Sequence, residues 1–362
     1  MLTPPPGHRP ERPYHPRLDG LRGLAILAVL AEHLVWSEAV TAWSPGMIGV
    51  RTFFVLSGFL ITSILVGQRG GSLPRWKAAA TFFMRRALRL WPAYYLAIAL
   101  AALFGIAEMR SHWPAHALYV TNFLVAHDQR WIGAGHFWTL SVEEQFYLLW
   151  FPMVVLAPRK WLLPVVVGAL AAAPLYRMSI PLGASEFSAV LLPGQIDSFA
   201  TGALLVLCMH RPGLRPIDRV IGRPAILWTS VAAVVLLSIP AQVGYGSPVL
   251  DWVLMPVLVN IAAACLVRAC VTSSQDFTVV LQRPWLVHVG RISYGLYIYH
   301  YFMPQILTTD RLGLAAASGL GEVATLAIVW ITASFIAAEI SWRLVEKPAL
   351  RLKSAVSRPG VD

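Results

Sequence analysis

The amino-acid sequence predicts an all-α protein, a polytopic integral membrane bundle of about ten transmembrane helices with both termini in the cytoplasm. Of its 362 residues, 57% are hydrophobic and 13% are charged, whereas soluble domains carry about 25% charged residues. A water-soluble fold of this size could not cover so much apolar surface, but a bilayer accepts apolar side chains on the outside of a bundle. We therefore expect a multi-pass protein of the cell (inner, cytoplasmic) membrane, with the lipid bilayer as a partner.

Apolar runs recur along the whole chain, most of them about 17–25 residues long, which is the length a helix needs to cross hydrocarbon. We place the spans near residues 18–37, 47–67, 90–107, 138–157, 161–177, 187–209, 225–242, 249–270, 286–307 and 318–342. The segment 110–127 is a candidate for an additional re-entrant or interfacial piece. The predicted organisation is a disordered cytoplasmic tail at 1–17, a transmembrane domain at 18–345 and a cytoplasmic tail at 346–362.

The placement of Lys and Arg supports this span count and orientation. With the N-terminus inside, 24 of the 29 basic residues fall in cytoplasmic segments and 4 on the opposite side, as the positive-inside rule requires. Those on the opposite side are Arg110, Arg130, Arg177 and Arg311. Arg51 remains inside a span. The net charge of +11 is thus spread over inner loops that face anionic lipid, which argues against nucleic acid as a partner.

The first predicted helix carries an arginine and a histidine on one face. Arg22 and His33 are eleven residues apart, which is about 20° beyond three full turns and about 16 Å along the axis. Ionisable groups inside a span are costly and face the bundle interior, so both are functional candidates. His33 could accept a proton near the outer side, and Arg22 could bind an anion near the cytoplasm. The alternatives are a satisfied core histidine and a local ion pair between Asp19 and Arg22.

Among the other ionisable groups within predicted spans, Glu143, Glu144, Asp197 and His300 are candidates for the site. Glu143 and Glu144 enter at a depth similar to that of His33, and because neighbours on a helix point about 100° apart, only one should face the site. We expect that glutamate to orient His33 or to bind sugar hydroxyls. His300 reaches the same outer third from the ninth span, and Asp197 lies nearer the middle. For these two, a structural hydrogen-bonding role is at least as good an interpretation.

A pair of arginines marks the cytoplasmic side. Arg86 and Arg89, at positions i and i+3, share a helix face, with Arg85 and Lys77 nearby. The planar guanidinium suits phosphate oxygens, so the pair could hold a nucleotide-bearing donor; ordinary positive-inside anchoring is the alternative. No Walker loop, H-E-x-x-H or nucleophile elbow is present, and the three cysteines form no C-x-x-C pair. The sequence therefore predicts neither a metal site nor a tightly bound cofactor.

Seven segments, in order along nearly the whole chain, carry a family resemblance. They are RLDGLRGLAILAVLAEHL (17–34), GVRTFFVLSGFLIT (49–62), RRALRLWPAYYL (85–96), HFWTLSVEEQFYLLWFP (136–152), IDSFATGALL (196–205), GRISYGLYIYH (290–300) and LVEKPALRL (344–352). Each one alone is weak evidence, but the seven at this spacing are specific. Together they resemble the acyltransferase-3 family of membrane O-acyltransferases, typified by bacterial polysaccharide O-acetylases.

The resemblance implies an Arg-x10-His motif at Arg22 and His33 with the histidine as base, a donor site at Arg86 and Arg89, and a functional glutamate in SVEEQ. It also implies acetyl-CoA, or another acyl-CoA, as donor and a sugar or related hydroxyl compound as acceptor. Some members carry an extracytoplasmic esterase-like domain, and we expect this chain to belong with the stand-alone members. The segment IDSF lacks the arginine that often precedes the aspartate, which weakens a specific role for Asp197.

The sequence thus predicts an enzyme that moves an acyl group, most simply acetyl, from cytoplasmic acyl-CoA to a hydroxyl of a sugar or polysaccharide precursor at the outer side. Direct attack on the thioester and an acyl-enzyme on Ser57, Ser141 or Ser293 both stay open. The acceptor could also be a small secondary metabolite such as a macrolide sugar. A transporter or flippase would have a similar number of helices, although the motifs show no inverted repeat, and a non-catalytic assembly subunit is a third class.

Overall fold

The computed structural model describes residues 14–35, 43–69, 74–180, 185–242, 247, 249–272, 276–313 and 320–355. Every regular element within these ranges is helical. The all-α prediction is therefore confirmed for this part of the chain. The predicted terminal tails lie largely outside it, since residues 1–13 and 356–362 are not among the described residues.

The described residues form eighteen α-helices and several short 3-10 or π segments. The first nine helices are α1 (Pro16–Leu34), α2 (Pro45–Gln68), α3 (Arg75–Phe104), α4 (Met109–Ala117), α5 (Thr121–Asp128), α6 (Trp138–Val155), α7 (Arg159–Ser179), α8 (Ser185–Ala189) and α9 (Leu192–His210). The others are α10 (Arg215–Ile221), α11 (Pro224–Gln242), α12 (Met255–Thr272), α13 (Pro284–Arg291), α14 (Ser293–Tyr299), α15 (Met303–Ile306), α16 (Thr309–Leu312), α17 (Leu320–Ser341) and α18 (Lys347–Ala355).

Six helical stretches of the described chain are long and apolar enough to cross a membrane. They are Pro45–Gln68, Arg75–Phe104, Arg159–Ser179, Leu192–His210, Leu250–Thr272 and Gly321–Leu352. Two further helices, Pro212–Ile221 and Pro224–Ile239, meet at a 55° bend and would make a seventh span if they cross together. The fold is thus that of a multi-pass membrane protein, whereas ten spans and two cytoplasmic termini stay predictions.

Three predicted spans differ from the observed helices. Helix α1 ends at Leu34 and α6 at Val155, before the predicted ends at 37 and 157; each is only 18–19 residues long and carries several charged or polar side chains. The predicted span 286–307 is wrong as a continuous helix, because the chain breaks after α13 and tightens into a 3-10 turn at His300–Phe302. Side chains cause part of this break: the hydroxyl of Ser293 bonds the carbonyl of Gly290, and the imidazole of His300 bonds carbonyls one turn earlier.

Three segments have more helical structure than expected. The 110–127 segment, the candidate re-entrant or interfacial piece, forms the two short helices α4 and α5. Helix α3 begins at Arg75 and not near residue 90, so the arginine pair lies about three turns inside the helix. The predicted tail after residue 346 begins as α18.

The centre of the bundle depends on a close contact between α2 and α9. A Cβ atom added to Gly58 would lie 2.0 Å from the carbonyl oxygen of Phe199, and one added to Gly202 would lie 2.1 Å from that of Val55. The two backbones therefore touch where the glycines face each other. Small residues at such crossings allow tight packing between membrane helices, where the hydrophobic effect contributes little. Helix α1 packs on the opposite side of α2, where Gly49 lies against Ala25 and Val29, and it also contacts α13.

We predict that Gly58→Ala destabilises the bundle by about 1–3 kcal/mol, because the new methyl group overlaps backbone atoms that cannot move aside. The matched control is Gly168→Ala in α7, where nothing lies within 4 Å of the added Cβ. Thermal unfolding in detergent should show a lower midpoint for the first variant and an unchanged or higher one for the second. Equal midpoints would contradict the close contact.

Candidate functional site

Two cavities lie beside α1, one near each end of the helix. We name them after the predicted orientation: the inner cavity, of about 110 Å³, includes Arg22 in its lining, and the outer cavity, of about 760 Å³, includes His33. The helical periodicity predicts one face for these two residues, and the structure places both toward the bundle interior. The two cavities share Val50 and Tyr297 in their linings. A wall of side chains thus separates the two groups that the sequence analysis singled out on α1.

The inner cavity is positively charged. Arg22, Arg86 and Arg89 line it together, whereas Arg85 and Lys77 do not. Arg22 also forms an ion pair of 2.9 Å with Asp19, so the local pairing considered in the sequence analysis exists alongside its position in the cavity. Three guanidinium groups around one small cavity form a site for an anion with several oxygens, such as a phosphate ester.

Glu143 belongs to this inner cavity. Its carboxylate lies 3.8 Å from the guanidinium of Arg86 and accepts hydrogen bonds from the hydroxyls of Ser57 and Tyr147. The Ser57 and Tyr147 hydroxyls are themselves 2.9 Å apart, and Arg86 also donates to Tyr147. The carboxylate of Glu143 thus lies beside the Ser57 hydroxyl, a contact that the sequence around Ser57 does not indicate. One carboxylate against three arginines leaves the inner cavity with an excess of positive charge.

The contacts do not support the expectation that Glu143 or Glu144 orients His33. Glu143 faces the inner cavity instead, because the rotation of α6 turns it toward Arg86. Glu144, about 100° around the helix, lines neither cavity, and its Oε1 atom has no hydrogen-bond partner among the described residues. This geometry agrees with the prediction that only one of the two glutamates faces a site.

The outer cavity is larger and rich in aromatic side chains. Tryptophan and tyrosine rings line much of it: Trp43, Trp131, Trp138, Trp252, Tyr297 and Tyr301. The carboxylates of Glu32 and Asp251 are also part of the lining. Glu32 accepts a 2.8 Å hydrogen bond from the backbone N–H of Gly46, which holds its side chain at the cavity edge. Apolar faces combined with a few carboxylates are typical of a site for a polar organic ligand.

Three histidines meet at the wall of the outer cavity. His33 Nδ1 lies 2.9 Å from His300 Nε2, so the structure brings together two residues that the sequence placed at a similar depth. His136 packs beside them, with its ring centroid 5.4 Å from that of His300, and its Nε2 is 3.2 Å from the carbonyl oxygen of Ile298. Within the described residues, no group of three or more His, Cys, Asp or Glu side chains is arranged to hold a metal ion.

Asp197 lies in a buried charge cluster and not beside His33. Its carboxylate forms ion pairs with Arg177 at 2.8 Å and with Arg51 at 3.4 Å, and the three residues are only 2–4% exposed. Arg177 also donates to the carbonyl of Gly194, and Arg51 donates to Ser198. These bonds join α2, α7 and α9, which supports the structural interpretation of Asp197. They also explain how Arg51 can lie inside a predicted span, since its charge is paired there, and they show that the side chain of Arg177 points into the bundle.

Sequence reasoning missed several residues of these cavities. His136 is the first residue of the segment that contains the two glutamates, but nothing local indicates that it would meet His300. Glu32, next to His33, was overlooked because it lies near the end of the first span. Tyr147 lies one turn after Glu143 on α6, and that i, i+4 spacing is a signal that could have identified it.

Comparisons with known proteins agree with this architecture. A family model described as "Acyltransferase domain" matches residues 15–339. The chain is 30% identical to the peptidoglycan O-acetyltransferase OatA of Listeria monocytogenes, over 94% of this chain and 56% of that protein. It is 27% identical to the O-acetyltransferase OatA of Staphylococcus aureus, over 94% of this chain and 58% of that protein. The chain thus spans somewhat more than half the length of these relatives. No solved structure matches it.

We predict that Asp197→Asn lowers the stability of the protein by about 3–5 kcal/mol, because it leaves two buried guanidiniums without their counter-charge. Unfolding in detergent, followed by circular dichroism, should show this loss. Arg130→Gln is the control: it breaks an ion pair with Glu108 in which both side chains are about half exposed, so it should change the stability by less than about 1 kcal/mol. If Asp197→Asn unfolded at the same temperature as the wild-type protein, a structural role of the cluster would be contradicted.

Proposed function

The chain belongs to the acyltransferase domain family, and on this premise we propose that it moves an acetyl group from cytoplasmic acetyl-CoA to a sugar hydroxyl at the outer face of the cytoplasmic membrane. A single observation carries the proposal: one helix, α1, contributes Arg22 to a cationic cavity and His33 to a larger aromatic one. A reaction that takes its donor from one side and its acceptor from the other requires such a division.

The inner cavity has the charge that a CoA donor requires. Coenzyme A carries several phosphate groups, and the guanidiniums of Arg22, Arg86 and Arg89 offer forked donors for their oxygens. The axial distance from Arg22 to His33 is about 16 Å, which a pantetheine arm can span. In the proposed complex, the phosphates stay near the arginines, and the thioester reaches the outer cavity past Val50 and Tyr297.

The chemistry is an acyl transfer with a general base. The acceptor hydroxyl attacks the carbonyl carbon of the thioester while His33 takes its proton. A carbon–oxygen bond forms, the carbon–sulfur bond breaks, and the proton passes to the sulfur of the leaving CoA. The products are an ester of the acceptor and free CoA. We favour this direct transfer over an acyl-enzyme on Ser57, because that hydroxyl lies in the inner cavity among the arginines.

The outer cavity supports a carbohydrate acceptor. Sugar rings present apolar C–H faces that pack on aromatic rings, and hydroxyls that bond to carboxylates; Trp131, Trp252 and Glu32 offer both kinds of partner. A volume of about 760 Å³ accommodates a few sugar units. Because the Listeria monocytogenes relative is named a peptidoglycan O-acetyltransferase, we propose a hydroxyl of a peptidoglycan-type glycan, or of its precursor, as the acceptor.

We predict that His33→Ala reduces acetyl transfer by about 10²- to 10⁴-fold, the usual contribution of a general base, without weakening CoA binding. The assay uses purified protein in proteoliposomes, radiolabelled acetyl-CoA and soluble peptidoglycan fragments. His127→Ala is the matched control, since that histidine is 87% exposed and lies in neither cavity lining. Transfer by His33→Ala at the rate of the control would show that the base is another residue.

We predict that Arg89→Ala weakens CoA binding by about tenfold to a hundredfold, because a charge-assisted bond to phosphate contributes about 1.5–3 kcal/mol. Titration calorimetry of the detergent-purified protein measures this affinity. Arg75→Ala is the control, as Arg75 is exposed at the start of the same helix and outside the inner cavity. We prefer Arg89 to Arg86, because replacing Arg86 would also leave Glu143 without its ion pair. Equal affinities for the two alanine variants would place the CoA phosphates elsewhere.

A further inference from the structure

The hydrogen bond between His33 and His300 determines which ring nitrogens carry protons. The two nitrogens are 2.9 Å apart, the ring centroids are 5.1 Å apart, and the planes differ by 11°. The difference between the two distances is close to two ring radii, so the nitrogens lie on the line that joins the ring centres. The bond therefore lies in both ring planes, where the imidazole N–H and lone pair point. The rings meet edge to edge and are not stacked face to face.

Backbone carbonyls fix the tautomer of His300. Its Nδ1 lies 2.8 Å from the carbonyl oxygen of Tyr297 and 3.1 Å from that of Leu296. A carbonyl oxygen can only accept a hydrogen bond, so Nδ1 must carry the proton. In a neutral imidazole, Nε2 is then the unprotonated nitrogen. Nε2 of His300 must therefore accept a hydrogen bond, and the donor is the Nδ1–H group of His33.

The surroundings of His300 favour the neutral ring. The residue is 0% exposed, and its described contacts are the two carbonyls, His33 and the rings of His136, Tyr297 and Tyr301. No carboxylate is among these contacts, and an unpaired charge in such a place is costly. A charged His300 would also donate from Nε2, which would force the proton of His33 onto its other nitrogen.

We propose that His300 is a positioning residue that holds His33 as the Nδ1-protonated tautomer, with Nε2 of His33 as a bare lone pair at the outer cavity. The inference rests on the proposed function for its use, because that lone pair is the base that takes the proton of the acceptor hydroxyl. When His33 becomes charged during attack, its Nδ1–H stays bonded to His300, and the new proton on Nε2 goes to the departing sulfur. A neutral partner orients the base without adding a charge to the bundle interior.

The enzymatic test compares three variants. His300→Leu removes the acceptor and should lower the turnover number by about 10- to 1,000-fold, part or most of what a general base contributes, with the KM for acetyl-CoA unchanged. His300→Gln restores a neutral acceptor oxygen and should recover most of this loss. His116→Gln is the matched control: His116 is equally buried but bonds Thr121 and lines neither cavity. Equal loss in the Leu and Gln variants, with intact CoA binding, would overturn the proposal.

A spectroscopic test does not depend on turnover. Solid-state NMR of the wild-type protein labelled with ¹⁵N-histidine in proteoliposomes, with His33 assigned by comparison with His33→Gln, should show a protonated Nδ1 and a bare Nε2. In His300→Gln the same pattern should persist, and in His300→Leu a mixture of tautomers should appear. A proton on Nε2 of His33 in the wild type would overturn the proposal. If the wild-type protein showed the expected tautomer but transferred no acetyl group, the pairing of His33 with His300 would be supported and the proposed function refuted.

Discussion

The carboxylate of Asp197 is the interaction on which the arrangement of the cavities depends. It joins α9 to Arg51 of α2 and Arg177 of α7 in a cluster with almost no exposed surface. Neither lipid nor packed protein can hydrate a guanidinium, so separating these helices would leave a charge unpaired in a medium that does not tolerate it. Both arginines also contribute to the wall of the outer cavity. The cluster that holds the helices together thus also shapes the chamber beside His33.

Helix α2 transmits this constraint to the rest of the bundle. Its Gly58 touches the backbone of α9, and Ser57, the residue before it, faces α6 and the carboxylate of Glu143. A shift of α2 along α9 would therefore move the wall of both cavities at once. Helix α1 packs on the other face of α2, so the positions of Arg22 and His33 follow from the same packing. The packing of α1, α2 and α9 thus positions part of the wall of each cavity, while α3 supplies Arg86 and Arg89 of the inner one.

Local regularity explains what the sequence could predict. The 3.6-residue period placed Arg22 and His33 on one face, and the arginine pair of α3 on another, without knowledge of any neighbour. Helical periodicity does not reveal long-range contacts: the rotation of α6 brings Glu143 to Arg86 instead of His33, and Asp197 has partners 20 and 146 residues away. The break between α13 and α14 was also missed, because it depends on side chains that occupy backbone carbonyls within an otherwise apolar run.

The two cavities share a wall that is formed in part by Val50 and Tyr297. This wall bears on how an acetyl group would cross the membrane. Tyr297 is held by hydrogen bonds of its hydroxyl to Thr139 and to the carbonyl of His136, so the partition is anchored on the side of the histidines. In the proposed reaction, CoA enters and leaves on one side of this partition and only its pantetheine arm passes it, while the modified sugar stays on the other side. The acetyl group would thus change compartments although neither of the molecules that carry it does, and the membrane would remain sealed throughout the cycle.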